Sequence, residues 1–270
     1  MKLSLHTIPE VPLEAEVIST DALMGLSESE AASLPVYHGN RKVTLGEFFD
    51  ISGRLTESDH LIELEGDLSR VKLIGHSMSG GRLLINGNVG AHLGASMKGG
   101  EIVVDGDAAD WVGREMSGGR IVINGNAGHM LGCAVRGSSA GVQGGEIIVH
   151  GNVLNEVGNG MRRGLIAIGG NSHDFTGVNM LAGTIIVLGK LGMRPGAGMK
   201  RGSIIAMERS EVLPTFTYNS TIQPDFIRFY LLHLRKLGMS IADRFITGQY
   251  QKWSGDSIEL NKGEILMYAG

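Results

Sequence analysis

The stretches GRLLINGN (81–88), GEIVVDGD (100–107) and GRIVINGN (119–126) follow one another at intervals of 19 residues. The pattern returns as GEIIVHGN (145–152), GLIAIGGN (164–171) and GTIIVLGK (183–190), after one longer interval that contains a seven-residue insertion. Self-similarity at a fixed period is typical of repeat architectures. Because several glycine columns share the same steps and the same insertion, the pattern is an internal repeat and not an accident of composition.

Each repeat contains a short run rich in Ile and Val, which favours β-strands. Nineteen residues are too few for a strand, a helix and two turns, and glycine interrupts every window in which a helix could form. Parallel strands lie about 4.8 Å apart, and their crossovers are nearly always right-handed. The sequence therefore predicts an all-β fold, a right-handed parallel β-helix (β-solenoid) of about eight coils with α+β caps at both ends.

The two ends of the chain do not repeat and predict separate capping segments. Ser27 and Glu30 have the spacing of a helical capping box. A later helix is predicted over 226–237, followed by a strand pair at 257–260 and 264–268. Three regions follow: an N-terminal cap (1–60), a glycine-repeat β-helix (61–207) and a C-terminal helix and hairpin extension (208–270).

Composition excludes several classes of protein. Glycine supplies 42 of 270 residues, but proline supplies only 6 and glycine has no three-residue period, which excludes collagen. A hydrophobic content of 42 % excludes a disordered chain, and the net charge of −4 gives no general attraction to nucleic acid. No apolar run is long enough to cross a membrane, and the one cysteine fits a reducing compartment. We expect a cytoplasmic protein that binds neither nucleic acid nor membrane.

Stacked coils would turn sequence columns into spatial rows. The row Arg82, Glu101, Arg120 and Glu146 alternates in charge and favours one register. A neighbouring row faces outward and is apolar, although the outer face of a lone solenoid should be polar. Either the chain's own termini or another subunit must cover it. The row consists of Leu84, Val103, Val122, Ile148, Ala167, Ile186 and Ile205. The predicted interface consists of its larger members Leu84, Val103, Val122, Ile148, Ile186 and Ile205, with Phe226, Tyr230 and Leu234 in the C-terminal helix.

No constellation for catalysis or metal binding stands out. The segment Gly75–Gly81 is similar to a serine-hydrolase elbow around Ser77, but Ser79 replaces the final glycine and a β-type run follows in place of a helix. The histidines do not cluster, and no Cys-x-x-Cys occurs. We therefore predict no catalytic residue and no metal ligand, and keep a Ser77 hydrolase as the least favoured class.

One polar cluster is a candidate binding site. Arg162, Arg163, Lys200 and Arg201 occupy the same corner of coils that lie two apart, roughly 10 Å. Guanidinium and ammonium groups at this spacing suit carboxylates or phosphate. The alternative is a solvated corner without a ligand.

The chain resembles a known family. Its glycine coils are similar to the β-helix domain shared by the C-terminal region of glutamate synthase and the C subunit of formylmethanofuran dehydrogenase. The flanks LPVYHGNR (34–41), GEFFD (46–50) and PTFTYN (214–219) resemble those of this C subunit, including its homologue in the formyltransferase/hydrolase complex. These flanks are more specific than the coils, and the likeness extends over nearly the whole chain.

The resemblance implies a non-catalytic structural subunit of a complex in one-carbon metabolism. In the formyltransferase/hydrolase complex, formyl passes from tetrahydromethanopterin to a methanofuran-type carrier and is released as formate. The alternative is a molybdenum or tungsten formylmethanofuran dehydrogenase. The resemblance implies amidohydrolase-like, dehydrogenase-B-like and formyltransferase sister subunits, with metals in those partners and no cofactor in this chain. The carrier has a glutamate-rich tail, which makes the basic corner a possible binding module.

Overall fold

The computed structural model describes residues 1–58 and 60–270, and these residues are mostly β-strand. The helices are few and short: α1 (Thr20–Leu23), α2 (Glu28–Ala32), α3 (Asp225–Lys236) and α4 (Asp243–Thr247). The strands are β1 (Lys2–Leu5), β2 (Leu13–Glu14), β3 (Pro35–His38), β4 (Arg41–Thr44), β5 (Phe49–Ser52), β6 (Leu61–Glu65), β7 (Val71–Lys72), β8 (Arg82–Asn86), β9 (Glu101–Val104), β10 (Arg120–Ile123), β11 (Glu146–Val149), β12 (Leu165–Ile168), β13 (Thr184–Val187), β14 (Arg201–Ala206), β15 (Thr217–Ile222), β16 (Tyr250–Gly255) and β17 (Lys262–Tyr268).

A long sheet dominates the molecule. Within the described ranges it has thirteen strands in the order β15-β16-β17-β14-β13-β12-β11-β10-β9-β8-β6-β1-β5. From β6 to β14 all neighbours are parallel, and the register follows the repeat, since Ile102 lies beside Ile121 and Ile121 beside Ile147. We call each segment from one of these strands to the next a coil.

Successive coils are also hydrogen-bonded away from the long sheet. A second parallel ladder joins Val89 to Ala108, Ala108 to Ala127 and Ala127 to Val153. At a third position, turn amides bond to the preceding coil; the N–H of Gly94 donates to the carbonyl of Ile74 at 2.8 Å. Because each coil is bonded to the next at three places, the stack holds residues one period apart directly beside each other.

Two buried rows fill the stack. One row consists of Leu and Ile residues and the other of Met residues, one from each of several coils; neither has exposed surface, and their contacts form one continuous core. A buried side chain of this size contributes roughly 1.5–3 kcal/mol before conformational entropy is subtracted. The members are Leu83, Ile102, Ile121, Ile147, Ile166, Ile185 and Ile204 in the first row, and Met78, Met97, Met116, Met161, Met180 and Met199 in the second.

The non-repeating ends extend the long sheet. At one end β1 pairs parallel with β6 and antiparallel with β5, and a small sheet β4-β3-β2-β7 packs beside them. At the other end β17 pairs parallel with β14, and β16 and β15 follow antiparallel. The prediction of a strand at 257–260 is wrong, because these residues form the turn after β16. In this turn Asp256 Oδ1 accepts a hydrogen bond from the N–H of Ile258 at 3.2 Å.

Candidate functional site

The four predicted cations line one groove of about 580 Å³ at the surface of the stack. Arg162 and Arg163 lie in the turn before β12, and Arg201 begins β14 directly after Lys200. All four side chains are exposed. The other lining residues are Ser139, Leu181, Ala182, Gly183 and Leu260.

The backbone fixes where these side chains begin. The N–H of Arg162 donates to the carbonyl of Val142 at 2.8 Å, and the N–H of Lys200 donates to the carbonyl of Met180 at the same distance. The preceding residues, Met161 and Met199, are fully buried and hold each turn against the core. The groove is therefore a rigid corner that carries long, mobile side chains.

The groove has an excess of positive charge. Within the described part of the chain, only Lys200 of the four has a carboxylate nearby, at 4.0 Å from Glu259 Oε2. Lys262 of β17 lies opposite Arg201 of β14 in the strand register, so a fifth exposed cation lies beside the groove. The repeat could not reveal Lys262, because it lies outside the columns and reaches this position through the C-terminal hairpin. Unpaired guanidinium groups in such a groove can bind carboxylates in bidentate fashion.

The chain's own C-terminal segment covers about half of the outward-facing apolar row, which we call the outer strip and which consists of Leu84, Val103, Val122, Ile148, Ala167, Ile186 and Ile205. Ile148, Ala167, Ile186 and Ile205 have no exposed surface and pack with residues of α3, including Leu234. These side chains have no surface left for a partner. For them, the chain's own C-terminal segment and not another subunit provides the cover. Helix α3 can lie here because its Ile227, Leu231 and Leu234 share one face and are all buried.

Polar contacts fix α3 on the sheet. His233 Nε2 lies 2.7 Å from Glu146 Oε1, and Glu146 Oε2 accepts a hydrogen bond from Arg120 Nε at 2.8 Å. Arg120 and Arg82 both pair with Glu101, at 3.6 and 2.9 Å. The predicted charge row is therefore a chain of ion pairs whose last carboxylate, Glu146, contacts His233 of the helix.

The other residues of the outer strip are less covered. Leu84 and Val103 are half-buried and belong to neither hydrophobic cluster of the described chain, whereas Val122 is half-buried and packs against the cluster that contains α3. On α3 itself Phe226 is 39 % exposed, whereas Tyr230 is half-buried with its hydroxyl 3.4 Å from Thr184 Oγ1. Phe229 is 73 % exposed, and its place on the outer side of the helix could have been read from its spacing to Ile227 and Leu231.

The segment Gly75–Gly81 forms a turn that leads into strand β8 and not into a helix. The N–H of Ser77 donates to the carbonyl of Ala95 at 2.8 Å, and Ser79 donates hydrogen bonds from its N–H and hydroxyl to the carboxylate of Asp21. Burial acts to raise the pKa of Asp21, but the Ser79 hydrogen bonds outweigh it and lower this pKa. The arrangement ties α1 to the first coils and leaves the Ser77 elbow without its structural context.

The described residues offer no cluster suited to a metal ion. In the ranges 1–58 and 60–270, no group of three or more His, Cys, Asp or Glu side chains is placed to hold one. None of the helices described there is long and apolar enough to cross a membrane. Cys133 is buried, and burial raises the pKa of its thiol to about 12, so the thiolate is disfavoured.

The chain resembles proteins of known type. The family model described as GXGXG motif matches residues 69–229. The C subunit of the tungsten-containing formylmethanofuran dehydrogenase 2 of Methanococcus maripaludis is 44 % identical over 266 residues, which cover 97 % of this chain and 94 % of that relative. The C subunit of the molybdenum-containing formylmethanofuran dehydrogenase 1 of Methanothermobacter marburgensis is 49 % identical over 85 residues, or 32 % of this chain and 21 % of that relative. The match thus spans about a fifth of the Methanothermobacter protein.

A solved structure resembles the whole chain. A chain in the crystal structure of the formyltransferase/hydrolase complex from Methylorubrum extorquens, in complex with methylofuran, superposes with a TM-score of 0.91 at 35 % identity. The superposition covers 100 % of both chains, so it includes the terminal segments as well as the coils. The chain therefore belongs to the GXGXG motif family and, within it, to the family of formylmethanofuran dehydrogenase C subunits.

Proposed function

We propose that this chain is the non-catalytic docking subunit of a formyltransferase/hydrolase complex. The main support is the full-length likeness to a chain of such a complex, with a TM-score of 0.91 over 100 % of both chains. The sister subunits would be a formyltransferase, an amidohydrolase-like subunit and a dehydrogenase-B-like subunit. The complex would pass formyl from tetrahydromethanopterin to a methanofuran-type carrier and release it as formate.

In this proposal the chain acts as a rigid wall, a right-handed parallel β-helix closed at both ends by its caps. Rigidity follows from the three hydrogen-bonded ladders and the continuous buried core. Leu84, Val103, Val122, Phe226 and Tyr230 are the predicted interface residues that keep exposed surface. The chemistry, including any metal, would lie in the sister subunits.

Co-expression with the three sister subunits tests this role. We expect a tag on the formyltransferase to recover this chain in fixed stoichiometry, and formyl hydrolysis to require the assembled complex. The isolated chain, assayed with formyl carrier, should be inactive. Recovery of a monodisperse monomer that never joins the complex, or turnover by the chain alone, would contradict the proposal.

A dehydrogenase complex is the alternative, and one observation favours it. The full-length identity to the Methanococcus maripaludis tungsten dehydrogenase subunit is 44 %, against 35 % for the formyltransferase/hydrolase chain. Metal analysis of the purified complex separates the two. Molybdenum or tungsten with reduction of carbon dioxide to formyl carrier would select the dehydrogenase, and their absence with formyltransferase activity would select the first proposal.

A second role is the binding of a polyanionic carrier tail at the basic groove. The observation that supports it is the convergence of Arg162, Arg163, Lys200 and Arg201 on one groove with a single nearby carboxylate in the described chain. A tail of several glutamates would pair its carboxylates with these side chains and keep the formyl-bearing end tethered. Such pairs lie at the surface, so their affinity should fall with ionic strength.

Replacement of the four groove cations by Ala in the complex tests the second role. We expect weaker carrier retention and a higher KM for carrier, with unchanged assembly. A matched control replaces four exposed cations elsewhere, Arg41, Lys42, Lys98 and Lys190, and removes the same charge. If the groove variant and the control bind the carrier equally well, the groove is a solvated corner.

A further inference from the structure

One corner of the stack has an unusual backbone. Seven residues, one in each successive coil, adopt a positive φ between 57° and 66° although none is glycine. Left-handed backbone is unfavourable for residues with a Cβ and is normally taken by Gly, Asn or Asp. We call this column the αL ridge; it consists of Leu73, His92, Trp111, Met130, Glu156, Phe175 and Arg194.

A second left-handed column in the same turns provides an internal comparison. Its members are small or polar, as the backbone conformation favours, and none is aromatic or aliphatic. They are Ser77, Ser96, Glu115, Gly160, Asn179 and Gly198. The coil geometry therefore does not demand bulky side chains at left-handed positions, and those of the αL ridge need another reason.

Stacking within the ridge accounts for part of its composition. The rings of His92 and Trp111 lie 6.0 Å apart at 31°, and the Arg194 guanidinium lies 5.4 Å from the Phe175 ring centroid. Trp111, Met130 and Phe175 remain only half-buried. Trp, Phe, Met and Arg are the residue types enriched at protein interfaces, and strained backbone clusters at functional sites.

Two guanidinium groups at the ridge have no ion pair. Arg114, which lies near His92 and is half-buried, and Arg194, which is exposed, pair with no carboxylate among the described residues. The nearby carboxylates are engaged internally: Asp110 Oδ1 accepts the N–H of His129 at 2.7 Å, and Asp174 Oδ1 accepts the N–H of Met193 at 2.8 Å. The Arg114 and Arg194 guanidinium groups therefore lie beside half-buried apolar side chains without a carboxylate partner in the described chain.

We propose that the αL ridge is a docking edge for a sister subunit whose facing surface is apolar and carries carboxylates. This inference rests on the proposed function, since it assumes a complex. Six intervals of about 4.8 Å make the ridge about 29 Å long, so a partner could contact it along several coils. Trp111 and Phe175 are the apolar anchors, and Arg114 and Arg194 pair with the partner's carboxylates. The ridge is distinct from the outer strip and from the basic groove.

The test uses asparagine, which suits the left-handed backbone. Trp111→Asn, Phe175→Asn and Arg194→Asn, combined, remove the ridge side chains while easing the backbone. The matched control combines Ser77→Asn, Ser96→Asn and Glu115→Asn in the other left-handed column. Each chain is co-expressed with the formyltransferase, amidohydrolase-like and dehydrogenase-B-like subunits, and the amount retained by the tagged formyltransferase is measured.

We expect the ridge variant to bind the complex at least about tenfold more weakly, with circular dichroism and a melting temperature close to those of the unaltered chain. The control should bind normally. Normal binding by the ridge variant would overturn the inference, and so would weaker binding explained by unfolding of the isolated variant. If the unaltered chain fails to join the complex, the proposed function fails instead.

Discussion

At the scale of single residues, glycine is required where one coil presses against the backbone of the next. Gly100 has φ +83°, and a Cβ there would lie 2.7 Å from the carbonyl oxygen of Gly81. Gly80 is its natural control, because a Cβ on Gly80 would meet no atom within 4 Å. We expect Gly100→Ala to lower the free energy of unfolding by at least about 2 kcal/mol, and Gly80→Ala to change it by less than about 0.5 kcal/mol. Urea denaturation measures both, and equal effects would contradict the packing argument.

A second residue couples stability to pH. Burial lowers the pKa of His92 to about 4, with smaller contributions from Arg114 and Lys72, whereas the unfolded chain has the ordinary value near 6.5. Between these values the unfolded state binds more protons, so the contribution of His92 to stability is fully present above pH 6.5 and is lost as the pH falls towards 4. Burial also lowers the pKa of His150, which acts in the same direction.

His92→Gln should make the free energy of unfolding less dependent on pH between 6.5 and 4. Urea denaturation at several pH values measures the slope. His6→Gln is the control, because His6 is exposed, and it should leave the slope unchanged. An identical slope in the His92 variant and the unaltered chain would show that other groups cause the acid sensitivity.

At the scale of elements, helix α3 is the cover of strands β11 to β14. Leu231 has no exposed surface and faces the sheet, whereas Phe229, two residues earlier, is 73 % exposed. Leu231→Asp should release the helix, because it buries an unpaired charge. We expect faster amide hydrogen exchange in β11 to β13 and little change in β8 and β9. Phe229→Asp should leave the exchange rates unchanged. If the Leu231→Asp variant and the unaltered chain exchange at the same rates in β11 to β13, α3 does not protect these strands.

The elements also show where sequence reasoning works. The columns predicted the register of the long sheet, because one-period contacts such as Ile102 with Ile121 depend only on the repeat. The repeat does not predict contacts between segments that lie far apart in the sequence. The strand that pairs with β17 is 250–255 and not 257–260, and no column marks it. The cover of Ile148 by α3 and the approach of Lys262 to Arg201 likewise depend on how the C-terminal segment folds back.

At the scale of the whole molecule, a stack bonded only between neighbours should tolerate the loss of one complete coil. In repeat proteins stability is approximately a sum of repeat and neighbour terms. Deletion of 101–119 removes one 19-residue period and joins equivalent positions. We expect a folded, less stable chain by circular dichroism, whereas deletion of 101–110 should be far more destabilising, because the nine residues that remain of this period lack strand β9 and cannot complete a coil.

The one-coil deletion also reverses the charge pattern, which allows a sharper test. In the full chain Arg82 pairs with Glu101 at 2.9 Å, so Arg82→Glu would place two carboxylates side by side and destabilise it. In the deleted chain Arg82 would lie beside Arg120, so the same substitution would restore an opposite pair. We expect Arg82→Glu to change the free energy of unfolding by about 0.2–1 kcal/mol, with opposite sign in the two chains. The same sign in both would show that residues one coil apart do not set the register through charge.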